Sequence, residues 1–313
     1  MSHDQLAKTL ITTFFPDFLY LAAPESARRL RLAEASFLDK EHFTDWPTGR
    51  RRELDLLARV PEEGSARILL VHVEIEARAR GRMDERLWGY YMQIRQRHGR
   101  LVLPILVNLR GGRPGVGLEV LEEGFEPLPT GIFRFRVLGL SGCQAAEWLP
   151  RPEPLAWALA ALMDPGAWSR AELKVECLRR VRRWGGTDGR KDVLINWIET
   201  YVQLSGEDAA EYQRLLNLKD NEEIRQMEQT WLGKAEARGL KKGIQEGKAQ
   251  AVEQMRQIVL KEIEQRFGTV PERVAARVGA IRTLEPLGKM LKELAIVQSA
   301  DDLLSRRRRL AES

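Results

Sequence analysis

Apolar residues recur every three or four positions through residues 3–23, with Leu6, Leu10, Phe14 and Leu19 on one stripe. That period predicts an amphipathic helix, interrupted near Pro16. The stretch PESARRLRLAEASFLDKEHF reads as a short helical and extended segment. From Arg52 the period falls to two. RELDLLARV reads as a strand, PEEGS as a turn and ARILLVHVEIEA as a second strand, so the pair predicts a hairpin. RMDERLWGYYMQIRQRHG returns to helical spacing, with Met83, Leu87, Tyr90, Tyr91 and Ile94 on one side and Gly99 just past its end. LVLPILVNL is a nearly continuous apolar run, as in a buried central strand, although Pro104 lacks the donor that a ladder uses. GGRPGVG reads as a loop and GIFRFRVLGL as a further alternating strand.

This alternation predicts an α/β domain over residues 1–145, a mixed sheet flanked by helices. Strand signals then nearly vanish. Residues 146–235 read as a helical extension opening at RPEPLAWALAALMD, and residues 236–313 as a linker helix and a small helical module. In the linker, Gly239, Gly243 and Gly247 repeat every four residues and share one helical face. Each costs a helix about 1 kcal/mol relative to alanine. They mark either a frayed, charged helix or a close helix–helix contact, and the C-terminal helices are a route to a homo-oligomer.

The second strand of the hairpin carries the candidate chemistry. Side chains two apart share a face, so His72, Glu74 and Glu76 stand together, with Val71, Val73 and Ile75 behind them. Two carboxylates at the end of a buried strand repel each other and lose hydration. Asp55, near the middle of the first strand, adds a third acid from the neighbouring strand. Such a trio suits a hard divalent cation, since Mg²⁺ takes oxygen ligands and usually one or two carboxylates. The same acids could instead pair with Arg78, Arg80, Arg82 or Arg86.

Composition narrows the classes further. The chain has 313 residues, 43% hydrophobic and 30% charged, with a net charge of +5, which permits nucleic-acid binding without requiring it. Cys143 and Cys177 form no CxxC pattern and read as reduced thiols, and no apolar run approaches the ~20 residues a membrane span needs. The chain therefore reads as cytoplasmic. It shows no Walker loop, GxGxxG, HExxH or nucleophile elbow. On the helix after the acidic strand, Arg82, Arg86, Gln93 and Arg97 form one polar stripe suited to phosphate. SRRRRL and RRVRRWGG are the other basic runs; Trp184 in the latter either stacks on a base or packs in the core.

HDQLAKTLITTFFPDFLYLAAPE, FLDKEHF, RRELDLLARV, ILLVHVEIEA and RMDERLWGYYMQIRQRHGRLVLPILVNL resemble, in that order, the recombination-promoting nuclease (Rpn) family of transposase-like proteins. That family lies in the PD-(D/E)xK nuclease superfamily. The likeness spans residues 3–140, and the tail around EQRFGTVP is similar to a helical domain often appended to such proteins. The resemblance implies a Mg²⁺-dependent DNA endonuclease, with Mn²⁺ as a substitute ion. Asp55 and Glu74 match the first and second metal-binding acids. Glu76 falls where the superfamily usually has lysine and the family commonly has glutamine. A glutamate there either binds a second metal, or acts as a base near a metal-bound water, or marks a weakened fold that binds nucleic acid or oligomerises without cutting.

Overall fold

The computed structural model describes the chain apart from residues 1–2, 39–41, 46–49, 79–80, 82, 126–127 and 306–313. The N-terminal apolar stripe forms two helices, α1 (His3–Thr13) and α2 (Phe15–Ala22), with Pro16 in the first turn of α2, where its missing N–H costs no hydrogen bond. A short α3 (Pro24–Ala27) leads to β1 (Ser36–Phe37). Among the described residues, strands β2 (His42–Asp45) and β3 (Arg50–Glu53) pair only with each other. The main sheet continues with β4 (Leu56–Pro61) and β5 (Ile68–Glu76), an antiparallel hairpin.

Helix α4 (Met83–His98) is the crossover that returns the chain to β6 (Val102–Asn108), parallel to β5. Then β7 (Gly115–Phe125) and β8 (Leu128–Gly139) form a long hairpin whose second strand lies parallel beside β6. The order is β1-β4-β5-β6-β8-β7. The architecture is therefore a six-stranded mixed sheet flanked by helices. Pro104 lies before the 105–108 stretch that pairs with β8, so its missing N–H leaves that ladder whole.

Two parts of the strand pattern differ from expectation. The RELDLLARV segment is not one strand; it leaves the β2–β3 ladder and joins the main sheet at Leu56, with Asp55 at the break. Aspartate is poor in strands because its carboxylate competes for backbone donors, and here Asp55 accepts from the N–H of Ile75 at 2.8 Å. The glycine-rich segment after GGRP is not all loop. Its end is β7, an edge strand whose Val116, Leu118 and Val120 stay exposed.

One face of the sheet packs on α4. Leu54, Leu57 and Leu70 meet Tyr90 and Ile94, while Leu106, Phe133, Phe135 and Val137 meet Met83 and Leu87. Fully burying a side chain such as Leu87 contributes about 2 kcal/mol. Helices α5 (Ala145–Trp148), α6 (Pro154–Ala160), α7 (Arg170–Arg183), α8 (Asp188–Tyr201) and α9 (Gly206–Leu216) follow. Helix α1 packs on α8, and α2 on α6. Trp184 belongs to that packing: its ring centroid lies 5.9 Å from that of Phe14, and the Arg190 guanidinium lies over both rings. Helix α7 opens on a reciprocal cap between Ser169 and Glu172. Its Lys174 is buried on Glu199 of α8, 2.8 Å away.

The chain divides into two compact units, residues 1–229 and 230–313. The sheet and the helices through α9 lie in the first. Helix α10 (Glu222–Phe267) begins there and runs on unbroken into the second. A Cβ added at Gly239, Gly243 or Gly247 would meet nothing within 4 Å, so no described residue lies against that glycine face. The second unit has its own core, in which Val259 and Ile263 of α10 pack with Val274 and Val278 of α11 (Glu272–Ala280) and Leu287 of α12 (Leu284–Leu294). Leu303 of α13 (Asp302–Ser305) closes it. Among the described residues no helix is long and apolar enough to cross a membrane.

Candidate functional site

Strand β5 pairs with β4 on one edge and β6 on the other, and both of its faces are covered as well. Val71 and Val73 are buried on one side and His72, Glu74 and Glu76 on the other, the last three at 0%, 4% and 7% exposure. At those values Glu74 and Glu76 are out of bulk water. The strand is built from β-branched and aliphatic residues, so it holds its register while carrying polar groups into a dry site.

Asp55 enters beside Glu74. Its backbone N–H donates to Glu74 Oε1 at 3.4 Å, while its own Oδ2 accepts from the N–H of Ile75 at 2.8 Å. These two contacts staple the break before β4 to the end of β5. Burial, followed by the nearby charge of Glu74, pushes the Asp55 carboxyl up to about 6 from its ordinary 3.8. The Ile75 amide and Lys8 pull the other way without cancelling that rise. Lys8, reaching in from α1, places its Nζ 2.9 Å from Asp55 Oδ1.

Glu74 is held from the opposite direction by His72, whose Nε2 lies 3.0 Å from Glu74 Oε1. The imidazole stands edge-on to Tyr90 of α4, with centroids 5.8 Å apart, and its Nδ1 is buried without a hydrogen-bond partner. The ring is thereby fixed by packing, and it fixes the carboxylate in turn. Glu76 lies two residues further along, with Arg86 Nη2 3.9 Å from its Oε1. Across the parallel register from Glu76 stands Asn108, whose Nδ2 donates to the carbonyl of Arg113 at 3.2 Å. The Asn108 Oδ1 is buried and unpartnered.

The structure thus brings Asp55 and Glu74 together and sets Glu76 on the same side of β5 beside Arg86. Gln93 donates to the carbonyl of Gly89 at 3.3 Å, and Arg97 is exposed near the end of α4. Arg82 and the basic run after Ser305 lie outside the described residues. Sequence reasoning missed Lys8, Asn108 and the positioning role of His72. Lys8 comes from a helix far away in sequence, so no local pattern marks it. His72 did carry a signal, since its two-residue spacing from Glu74 puts it on the acids' face.

Among the described residues, no set of three or more His, Cys, Asp or Glu side chains is assembled as a metal-ligand cluster. A hard divalent ion needs fewer, because one or two carboxylates completed by water and substrate oxygen suffice for Mg²⁺. Asp55 and Glu74 offer that donor set, and the Asp55 carboxyl, raised chiefly by burial and then by the charge of Glu74, is one that a bound cation would hold ionised. The residues present fit such an ion. No family model, curated protein or solved structure matches the chain.

Proposed function

We propose that the chain is a Mg²⁺-dependent DNA endonuclease with a PD-(D/E)xK-type core, akin to the recombination-promoting nucleases and linked to recombination or mobile elements. One observation carries this reading. Asp55, at the break before β4, sits beside Glu74 of the buried central strand β5, and burial, followed by the charge of Glu74, raises the Asp55 carboxyl to about 6. Keeping two acids there costs stability that an apolar pair would not cost. A cation-binding task explains why they are present.

Asp55 and Glu74 would hold the ion, with Glu76 as the third acid of the site. When bound, the ion supplies Lewis-acid stabilisation of the negative charge on the scissile phosphodiester. His72 orients Glu74 through its 3.0 Å contact, and Lys8 holds Asp55 in place. Arg86 and Arg97 of α4 offer guanidinium groups to the DNA backbone, and Arg82 stands on the same sequence stripe.

A second reading rests on Glu76. Among the described residues, Arg86 lies beside Glu76 and Lys8 on Asp55, so cations of the chain already offset part of the site's negative charge without metal. That offset favours a weakened nuclease fold that binds nucleic acid or oligomerises. Incubation of supercoiled plasmid with Mg²⁺ separates the two. The first reading expects nicked or linear product from the wild type and none from Asp55→Ala. Intact plasmid in both, with retained DNA binding, supports the second.

A further inference from the structure

A cavity of about 510 Å³ opens at the other end of β5, where Ile68 begins the strand. Six residues separate Ile68 from Glu74, about 20 Å along an extended strand, so the cavity is separate from the acidic site. Four arginines line it (Arg29, Arg67, Arg95 and Arg100) against a single carboxylate, Glu62. Glu62 is already engaged: Arg29 Nη2 lies 3.1 Å from its Oε1 and Arg67 Nε 2.5 Å from its Oε2. Arg95 and Arg100 have no acidic partner among the described residues.

The C-terminal dipole of α4 accounts for a cation at Arg95, in its last turn, whereas Arg100 lies beyond the helix, where that effect falls off. Between the guanidiniums the wall is apolar, formed by Leu30, Ile68 and Leu101. A surplus of three positive charges around an apolar wall matches a dianionic head on a ring-bearing body. The planar guanidinium fork suits phosphate oxygens, and the volume lies within the range of small-molecule pockets.

We propose that this cavity binds a phosphate monoester carried on a nucleoside, either a free mononucleotide or the phosphorylated end of a nucleic-acid strand. This proposal does not depend on the nuclease reading. The test is calorimetric titration of the full chain in EDTA, where metal-dependent cleavage cannot occur. Probes are dAMP, deoxyadenosine, inorganic phosphate, and one oligonucleotide with and without a 5′-phosphate.

The expected result is binding of dAMP at least tenfold tighter than deoxyadenosine or inorganic phosphate. Arg100→Gln and Arg95→Gln should each weaken dAMP at least tenfold while leaving the melting temperature unchanged. Tighter binding of the 5′-phosphorylated oligonucleotide than of dAMP, lost in Arg100→Gln, identifies a strand end as the occupant; the reverse order identifies the free nucleotide. Equal affinity for dAMP and deoxyadenosine, no binding of any phosphate probe, or unchanged affinity in both arginine variants would overturn the proposal.

Discussion

Replacing Asp55 by asparagine in metal-free protein should alter stability in a way that depends on pH. The Asp55 carboxyl is pushed from 3.8 to about 6, chiefly by burial and then by the charge of Glu74. A rise of about two units, at about 1.4 kcal/mol per unit, amounts to roughly 3 kcal/mol. The folded state then holds this proton more tightly than the unfolded state does. Stability from Asp55 is therefore highest below about pH 4, falls as pH rises toward 6, and is level above that. Asparagine has no proton to lose, and its side-chain oxygen still accepts from Ile75 N–H. It also removes the Lys8 partner, which shifts the variant by an amount set by the lost ion pair. The informative quantity is thus the difference between variant and wild type, followed by urea denaturation in EDTA from pH 4 to pH 7.5. That difference should move in favour of Asn by about 3 kcal/mol across the range. A difference that stays flat, or moves the other way, would show that Asp55 is not held at an electrostatic disadvantage beside Glu74.

Glu76 can be tested through metal demand: if it helps hold the ion, Glu76→Gln should raise the Mg²⁺ concentration for half-maximal plasmid cleavage several-fold. Glu76→Lys should raise cleavage instead if the position only lacks a cation, and unchanged metal dependence in Glu76→Gln would make the residue a bystander. Lys174→Met leaves Glu199 buried without its 2.8 Å partner and should destabilise the chain by about 3 kcal/mol in urea denaturation. The double variant Lys174→Met/Glu199→Leu should recover most of that loss, and failure to recover would locate the cost in packing. A chain ending at residue 231 should still unfold in one cooperative transition, because the first unit has its own sheet and helical core; loss of cooperativity would mean that the C-terminal helices complete that core.

Much of the first unit's order is legible along the chain because its central elements bury one kind of surface each. The α4 stripe of Met83, Leu87, Tyr90 and Ile94 is buried as its spacing predicts, and Gly99 takes the positive φ of 61° that ends the helix. The β4–β5 hairpin and the shared face of His72, Glu74 and Glu76 follow from a period of two. The break at Asp55 does not, because what ends the strand is a hydrogen bond to Ile75, twenty residues away. Edge strand β7 hides for a different reason. It presents Val116, Leu118 and Val120 to solvent and carries Gly115 and Gly117, so its composition reads as loop. Helix α10 shows propensity yielding to length: its glycines weaken it locally, yet the helix runs unbroken on both sides of them. Lys8 was illegible, since only the fold brings α1 to the acids.

If Asp55 and Glu74 hold a divalent ion, the metal should be visible between them. Crystals of the full chain grown with Mn²⁺ and measured at the manganese absorption edge test it most directly. An anomalous peak should appear bounded by the Asp55 and Glu74 carboxylates and be lost in Asp55→Asn crystals grown alike. Saturating Mn²⁺ with no peak there, and the Lys8–Asp55 pair still closed at 2.9 Å, would contradict it.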